Sequence, residues 1–535
     1  MKEIKELKFE ELTLEQKFGL VLTLNPFGYG YDGIHKKYEW VKEENEFLFE
    51  LIKKRALGAV WIVPTMPHAE ELMKKVKELA DYPILIFTDA ENGLGDYKIG
   101  KHNAVGRTDS EDLAYIFGKV TAITARKMGY NVICSPLLDM GNTGSERWLG
   151  NDKERVIALA AAEAAGLHDG GVLTVGKHYP GGNDINNIDP HMAEAISDNT
   201  KEELLDYALC PYLTLNNKGL LDGIMTSHKR FINIDDKRPA SLSKPVIDII
   251  REQGFNGFAI TDALCMMGIQ AKFGDQKPNA LCIESGNDLA LPFFFSNADY
   301  YREIKESYEQ GILTEERLNE AVKRVLDAQH KTLEKPEFTE LNQDDIDKFQ
   351  SINKKATIAI TDENTPVALP KEGKHFFVLM VDNGIKLGNN GTVNVDTFTD
   401  NWRDPVKMTN KLKELFPNST VEAIYQFPEQ QQMDNILSHT LGYENVIFIT
   451  FAETLAYAGP AHLTRRVEAL INAMQTTNRI SALIHFGVPT VLENLEHIPR
   501  IIFGGISEAG VNYAFEALAG EFEPSGKLTY DVKLK

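Results

Sequence analysis

The feature that most constrains the fold is an alternation of short apolar runs with longer amphipathic segments over the first 330 residues. The runs are rich in valine and isoleucine without a polar residue at every second position, which is typical of parallel strands buried on both faces. Such strands are predicted at residues 18–24, 58–63, 84–88, 132–138, 171–175, 223–226, 257–261 and 288–292. Eight strands with helices between them predict an α/β fold that begins with a (β/α)₈ TIM-like barrel.

The pattern changes after residue 335, where the stretch 336–352 is polar and acidic. We interpret this stretch as a linker between a barrel domain, residues 1–335, and a C-terminal domain, residues 353–535. The apolar runs of the second domain, at 376–381, 446–451, 482–486 and 500–503, predict an α/β sandwich with a doubly wound sheet. No G-x-G-x-x-G motif opens a helix after its first strand, so neither a dinucleotide nor another cofactor is predicted.

The charge of the chain bears on its partners. A formal net charge of −21 argues against nucleic acids and anionic membrane surfaces, because both require a basic footprint. The first residues are charged throughout and form no apolar signal sequence, and no run reaches the ~18 apolar residues of a membrane helix. The four cysteines are scattered, as expected of thiols in a reducing compartment. We therefore expect a cytoplasmic protein, and the sequence does not indicate its oligomeric state.

Polar side chains collect at the ends of the predicted strands. They are Asp89, Glu91, Asp139, Lys177, His178, Ser227, His228, Asp262, Asn287 and Asp288. In a barrel of this type the carboxyl ends of all the strands converge on one face, and that face carries the active site. The sequence therefore predicts that residues up to two hundred positions apart meet there.

The stretch 176–191, with the sequence GKHYPGGNDINNIDPH, is predicted to be a working loop that follows the fifth strand. At its end, Asp189 and His191 are two residues apart, so in an extended segment their side chains point the same way and can share a proton. The alternative is a solvated loop whose charges contact nothing, and the loop alone leaves both interpretations open.

Asp262 comes directly after an apolar strand and before the small and apolar residues A-L-C-M. This pattern predicts a partly desolvated carboxylate that is able to act as a nucleophile or a general base. The alternative is a helix N-cap for the segment that follows.

Three more positions offer groups suited to a sugar. Lys177 and His178 supply hydrogen-bond donors for a polyhydroxylated or anionic ligand, and Asp89 supplies acceptors for hydroxyls or a cation. Arg147 stands beside a tryptophan, a pairing that sugar binding would explain. A surface pair, a tight turn and a packing contact are the respective alternatives.

A metal centre is not predicted. The residues after the first strand lack the paired His-x-His that a barrel metallohydrolase usually places there, and the histidines at 178, 191 and 228 are not at helical ligand spacing.

Taken in order, the motifs of this chain resemble those of the family 3 glycoside hydrolases, in particular the bacterial β-N-acetylglucosaminidases of cell-wall recycling. The matching pieces are Asp89-Ala-Glu-Asn-Gly93, Ser135-Pro-Leu-Leu-Asp139, Arg147-Trp-Leu-Gly-Asn-Asp152, Lys177-His-Tyr-Pro-Gly181, Asp189-Pro-His191, Met225-Thr-Ser-His228, Pro239-Ala-Ser-Leu-Ser243, Thr261-Asp-Ala-Leu-Cys-Met266, Gly286-Asn-Asp288 and Gly520-Glu-Phe-Glu-Pro-Ser-Gly-Lys-Leu528. Each piece is short, but together they follow the family's order through both predicted domains.

The resemblance implies a retaining exo-glycosidase in which Asp262 is the nucleophile and His191 the general acid/base, oriented by Asp189. It also places Asp89, Arg147, Lys177, His178 and His228 around the terminal sugar. The proposed pair is chemically reasonable, because a carboxylate beside an imidazole fixes its tautomer and favours its protonated form. The same group then returns as the base for the attacking water.

The chain departs from the family pattern at two points. The second histidine of K-H-F-P-G-H-G is replaced in Gly181-Gly182-Asn183, and the arginine of G-G-R-V is missing after Asn92. The resemblance predicts a cytoplasmic exo-β-N-acetylglucosaminidase for small N-acetylglucosaminyl-terminated carbohydrates, with peptidoglycan fragments as the expected source. A phosphorylase or other β-glycosidase of the same family, and a catalytically silent sugar-binding protein, are the alternatives.

Overall fold

The computed structural model describes residues 4–28, 40–293, 296–335, 340–381, 385–387, 393–395, 401–454, 456 and 461–535. The chain forms two compact units. The first comprises Met1–Lys98, Glu111–Thr143 and Asn151–Phe349, and the second comprises Ile99–Ser110, Gly144–Gly150 and Gln350–Lys535. The segment predicted as a linker is in part helical, because the helix Gln343–Lys355 covers much of it, and its residues 336–339 lie outside the described residues.

The first unit is built on a curled sheet of parallel strands in chain order. The strands are β1 (Thr23–Leu24), β2 (Ala59–Trp61), β3 (Leu85–Thr88), β4 (Val132–Ile133), β5 (Leu173–Tyr179), β6 (Gly223–Thr226) and β7 (Phe258–Thr261). The predicted eighth strand contributes two parallel bridges instead of a ladder. Leu289 pairs with Ile260 of β7, and Ala290 pairs with Leu22 beside β1. The eighth segment thus joins the two edges of the sheet, and the predicted fold class is confirmed.

The first predicted strand, 18–24, is largely wrong. Residues Leu14–Leu20 form a helix, and only Thr23–Leu24 are strand. The helix begins with a capping box, in which the Thr13 side chain accepts from the backbone N–H of Gln16 while the Gln16 side chain accepts from the N–H of Thr13. This reciprocal cap stabilises the first turn of a helix.

Side chains of alternate residues along the strands fill the interior of the curled sheet. Trp61 and Phe87 stack with ring centroids 6.1 Å apart, and Phe87 meets Phe258 edge-on at 5.9 Å. The intervening residues Val60 and Ile86 belong instead to the apolar layer beneath the helices. Because neighbouring residues of a strand point to opposite faces, both faces of this sheet are apolar. For this reason, apolar and polar residues do not alternate along the sequences of these strands.

Helices follow most of the strands of the first unit and pack around the sheet. They are Leu14–Leu20, Trp40–Lys53, Ala69–Leu79, Glu111–Met128, Lys153–Asp169, Lys201–Glu203, Cys210–Asn217, Lys244–Glu252, Met267–Phe273, Pro278–Glu284, Asn297–Glu309 and Glu315–Glu334. None of the helices in the described part of the chain combines the length and the apolar character needed to cross a bilayer.

The second unit has a mixed sheet with helices between its strands. Its strands are β8 (Ile358–Thr361), β9 (His375–Val381), β10 (Thr420–Tyr425), β11 (Asn445–Ala452), β12 (Ile480–Gly487) and β13 (Arg500–Gly504). Their order is β8-β13-β12-β11-β9-β10, and β8 alone in this sheet is antiparallel to its neighbour. The helices are Asn103–Thr108, Pro405–Leu415, Gln430–His439, Arg465–Gln475 and Glu508–Leu518. The parallel strands follow a doubly wound order, as predicted.

The helix Asn103–Thr108 belongs to the second unit because its polar side chains bond within that unit. The buried guanidinium of Arg107 donates to the backbone carbonyls of Gly487 and Gly504, at 3.3 and 2.9 Å. Asn103 donates to the hydroxyl of Thr529 at 2.8 Å.

Asp222 is a buried carboxylate that holds the amino ends of two barrel strands together. Its Oδ2 accepts from Nε2 of His168 at 2.7 Å and from the backbone N–H of Thr174 at 3.1 Å. Burial alone would raise the pKa of Asp222, but the hydrogen bond to His168 and the charges of His168 and Lys335, with the N–H of Thr174, together outweigh this effect and lower the pKa to about 2. The folded protein therefore holds this carboxylate ionised more strongly than the unfolded chain does.

Because its pKa is depressed in the folded state, Asp222 contributes stability above pH ~4 that is lost as the pH falls toward 2. We expect Asp222→Asn to lower the free energy of unfolding by about 2 kcal/mol near neutral pH. The midpoint of the first unfolding transition in urea should also shift less as the pH is lowered. Asp327→Asn, at an exposed position, is the matched control. Equal midpoints for the two variants at both neutral and acidic pH would contradict this assignment.

Candidate active site

Asp262 lies immediately after β7 and is fixed by backbone contacts. Its N–H donates to the carbonyl of Thr226 at 2.9 Å, and its Oδ1 accepts from the N–H of Ala263 at 2.7 Å. The next helix begins only at Met267, with Met266 as its N-cap residue. The interpretation of Asp262 as a helix N-cap is therefore wrong.

His178 stands between two carboxylates. Its Nδ1 lies 2.7 Å from Oδ2 of Asp139, and its Nε2 lies 3.9 Å from Oδ2 of Asp262. The pairing of β5 with β6 is irregular between Lys177 and Tyr179. In a regular strand Lys177 and His178 would point to opposite faces, and a bulge of this kind re-aims one of them. The sequence marked Asp139 as a residue at a strand end but gave it no role as the partner of His178.

Asp262 is held in its ionised form. Burial by itself would raise the pKa of this carboxyl, but the neighbouring histidines, His178 foremost, together with the N–H of Ala263 outweigh burial, and the pKa is lowered. A carboxylate must be ionised to attack a carbon atom. The electrostatics of the site thus provide the form of Asp262 that nucleophilic chemistry requires.

Lys177 organises two carboxylates instead of standing free in a pocket. Its side chain is 1% exposed, and its Nζ lies 2.5 Å from Oδ1 of Asp89 and 3.0 Å from Oε2 of Glu91. Asp89 is the accessible member of this group, with 56% of its side chain exposed. Asp89 is therefore a more direct candidate than Lys177 for a contact to sugar hydroxyls, and Lys177 fixes its position.

His228 has a protein partner at each ring nitrogen. Its Nε2 lies 2.9 Å from the carbonyl of Ala263 and its Nδ1 lies 2.8 Å from the hydroxyl of Ser241. Since a carbonyl only accepts, Nε2 carries the hydrogen and Nδ1 accepts from Ser241. Burial lowers the pKa of His228, which agrees with this neutral form. The predicted role in sugar binding is corrected to one of positioning, because the ring holds the backbone next to Asp262.

The two ends of the Asp189–His191 segment are bonded to each other. Nδ1 and the backbone N–H of His191 lie 2.7 and 2.9 Å from Oδ1 of Asp189. This contact rules out the solvated-loop alternative for these two side chains. It fixes the orientation of the His191 ring through Nδ1.

The same segment is attached to the chain that follows Asp262. The carbonyl of His191 accepts from the N–H of Met267 at 3.2 Å, and that of Pro190 accepts from the N–H of Gly268 at 3.1 Å. A Cβ atom at position 268 would lie 2.8 Å from the Pro190 oxygen. Only glycine therefore lets the two segments approach this closely.

The part of the loop that departs from the family pattern has its own polar supports. Asn183 N–H donates to the Asn199 side chain at 2.7 Å, and Asp184 N–H donates to the Asn142 side chain at 2.8 Å. Gly182 has φ +85°, a conformation that side chains rarely adopt. A histidine at this position would be strained, so the replacement belongs to a differently shaped loop.

Two predicted residues are not part of this cluster. Arg147 belongs to the second compact unit, where its carbonyl lies 3.2 Å from Nδ1 of His102, and its role in sugar binding stays a prediction. Asp288 was predicted at the catalytic face, and this prediction is wrong. Its carboxylate accepts from the N–H of Ala259 near the start of β7, and it is surrounded by Arg251, Arg317 and Arg324. Asp288 is therefore the centre of a buried ion cluster that has a structural role.

We expect Asp139→Asn to lower kcat/KM by about 10–100-fold, the value of one hydrogen bond to a charged group. The loss should come from misorientation of His178, because the neutral amide no longer holds its Nδ1–H as strongly. Steady-state kinetics and a thermal midpoint measured on the same sample test this. An unchanged kcat/KM, or a loss that merely follows unfolding, would speak against it.

Comparison with known proteins agrees with the fold. The description "Glycosyl hydrolase family 3 N terminal domain" matches residues 13–328, more than half of the chain. The chain therefore belongs to glycosyl hydrolase family 3 and is a glycoside hydrolase. This confirms the resemblance drawn from the motifs.

Individual relatives give the same result. A β-hexosaminidase of Tolumonas auensis is 29% identical over 261 residues, which are 45% of this chain and 77% of the relative. A solved structure of a glycoside hydrolase family 3 β-N-acetylglucosaminidase from Paenibacillus sp. str. FPU-7 has a TM-score of 0.78 at 20% identity, covering 98% of this chain and 100% of that one. A β-glucoside phosphorylase has the same TM-score and identity, covering 98% and 95%. The structural likenesses show that the fold is shared along nearly the whole chain.

Proposed function

We propose that the protein is a retaining exo-β-N-acetylglucosaminidase that removes terminal β-linked N-acetylglucosamine by way of a covalent intermediate on Asp262. The observation that carries this proposal is the Asp189–His191 pair, whose loop is bonded to the segment that follows an ionised Asp262. An imidazole acid and a carboxylate nucleophile are the two groups that a double displacement needs. The names of the β-hexosaminidase relatives support an amino sugar as the terminal residue, and the motif resemblance supports N-acetylglucosamine in particular.

The first step forms one bond and breaks another. A carboxylate oxygen of Asp262 attacks the anomeric carbon, the bond from that carbon to the leaving oxygen breaks, and Nε2 of His191 gives its proton to that oxygen. In the second step, water gives a proton to the same nitrogen and attacks the anomeric carbon, which releases Asp262 as a carboxylate. Asp189 accepts from Nδ1 of His191 at 2.7 Å in both steps and stabilises the imidazolium.

The sugar is held by the other groups of the cluster. The exposed carboxylate of Asp89, fixed by Lys177, is suited to accept from sugar hydroxyls, and His178 lies beside Asp262 where its Nε2 can bond to a hydroxyl of the same ring. We propose Arg147 as a further contact to the sugar, as its motif predicts.

One assay can test both the molecule that accepts the sugar, water or phosphate, and the natural aglycone. Imidazole carries no negative charge after it has given up its proton, so phosphate can approach where a carboxylate would repel it. A β-N-acetylglucosaminide phosphorylase is therefore the second candidate, and formation of a sugar 1-phosphate identifies it. Muropeptides test the predicted peptidoglycan source in parallel, as substrates with and without phosphate.

The direct test of the sugar is a comparison of an aryl β-N-acetylglucosaminide with the corresponding aryl β-glucoside. The proposal expects a clear preference for the N-acetylglucosaminide, measured as kcat/KM. A preference for the glucoside would overturn the choice of sugar, and turnover of neither would overturn the proposed function.

A further inference from the structure

Large apolar side chains are exposed around the acid/base loop. Ile185, Ile188, Met192 and Met267 have 51, 36, 48 and 50% of their surface exposed. Ile185 and Ile188 belong to the loop, Met192 directly follows it, and Met267 is the residue whose N–H bonds to the carbonyl of His191. Exposed apolar residues in a group, unlike single ones, mark surfaces that bind something.

Two of these residues adjoin His191 through the backbone. Met192 is the next residue in the chain, and the backbone N–H of Met267 lies 3.2 Å from the carbonyl oxygen of His191. Methionine is flexible and polarisable, and proteins use it on surfaces that adapt to apolar ligands of varied shape. We call Met192 and Met267 the methionine pair.

The charged groups near the methionine pair are engaged with one another. Asp189 bonds to His191, and Glu194 pairs with Arg230 through both carboxylate oxygens at 2.9 Å. Asp184, at the base of the loop, lies 3.2 Å from Nζ of Lys229. Ion pairing within the protein leaves the apolar side chains as the main feature that the loop offers to a ligand.

The chemistry of the acid/base fixes what lies beside it. His191 gives its proton to the oxygen that joins the sugar to the leaving group, so the atoms bonded to that oxygen lie next to the imidazole and its neighbours. The methionine pair is therefore in the place where the aglycone, and not the terminal sugar, makes contact.

We propose that the aglycone of the natural substrate is apolar, an aryl or alkyl group, and that the methionine pair determines this specificity. The proposal rests on the proposed function, because it takes His191 as the acid/base. It differs from the peptidoglycan source predicted from the sequence, in which the aglycone is a second, polar sugar.

The experiment measures kcat/KM for a series of alkyl β-N-acetylglucosaminides, from methyl to octyl, and for a disaccharide with terminal N-acetylglucosamine. Burial of each added methylene in an apolar site raises the binding constant by about fourfold, so the logarithm of kcat/KM should rise with chain length until the site is filled. Met192→Ser and Met267→Ser, singly and together, should flatten this rise. Leu333→Ser, at an exposed apolar residue outside the loop, is the control and should keep both the rise and the activity.

The outcomes separate the two proposals. Turnover of every glycoside with no dependence on chain length, or a disaccharide that exceeds the octyl glycoside, overturns the apolar aglycone and leaves the proposed function intact. A rise with chain length that the serine variants retain overturns the role of the methionine pair. Turnover of none of the glycosides overturns the proposed function and this inference with it.

Discussion

Asp262→Asn is expected to lower kcat for an aryl β-N-acetylglucosaminide by about 10⁴–10⁶-fold, the range seen when a covalent nucleophile is removed. The amide is nearly isosteric with the carboxylate, and it can keep the hydrogen bond from Ala263. It carries no charge to attack the anomeric carbon. The loss should therefore occur in chemistry and not in folding, and rate measurements under single-turnover conditions would show it.

Asp198→Asn is the control for the loss of one negative charge, because Asp198 is exposed on the same unit. Its activity should be within a factor of about two of the parent, as for a surface change. If Asp262→Asn retained a tenth of the parent activity, Asp262 would not be the nucleophile.

His191→Ala is expected to have the second largest effect, and its size should depend on the leaving group. General acid catalysis is worth about 10²–10⁴-fold, but it matters little for a leaving group that is stable as an anion. We therefore expect an alkyl glycoside to lose most of its activity in the first step. An activated aryl glycoside should form the intermediate normally and then stall, because the base for water is missing. The comparison of burst and steady-state rates distinguishes the two steps.

Asp189→Asn provides a graded version of the same test. The variant keeps His191 but replaces the carboxylate that accepts from its Nδ1 at 2.7 Å. A loss smaller than that of His191→Ala, with the same dependence on the leaving group, is the expected result. A loss that is equal for alkyl and aryl glycosides in both variants would show that the pair does not carry the proton.

The sequence predicted the strands of the interior well, because they are apolar on both faces. It failed where local signals competed. The apolar run that ends at Leu24 resembles a strand, although the T-x-x-Q capping box at Thr13 marks a helix start. The edge strands β8 and β10 were not predicted, since both are mostly half-buried or exposed and neither forms a long apolar run.

The candidate site was predictable as a set of residues but not as a set of contacts. The motifs pointed to Asp262, His178 and the Asp189–His191 pair. The bond between Asp139 and His178 joins the segment after β4 to the end of β5, and it depends on a bulge that no local sequence pattern predicts. The burial of Lys177 between two carboxylates likewise depends on tertiary contacts that no local sequence pattern shows. For the same reason, Asp288 could be mistaken for a catalytic carboxylate, because its three arginines come from elsewhere in the chain.

Mass spectrometry of the stalled enzyme tests directly whether Asp262 forms a covalent bond to the sugar. The His191→Ala variant is mixed with an activated aryl β-N-acetylglucosaminide, quenched in acid and weighed. We expect a protein that is heavier by one N-acetylglucosaminyl group, with the added mass on the peptide that contains Asp262. Release of the aryl group with no added mass, or added mass on a different peptide, would contradict it.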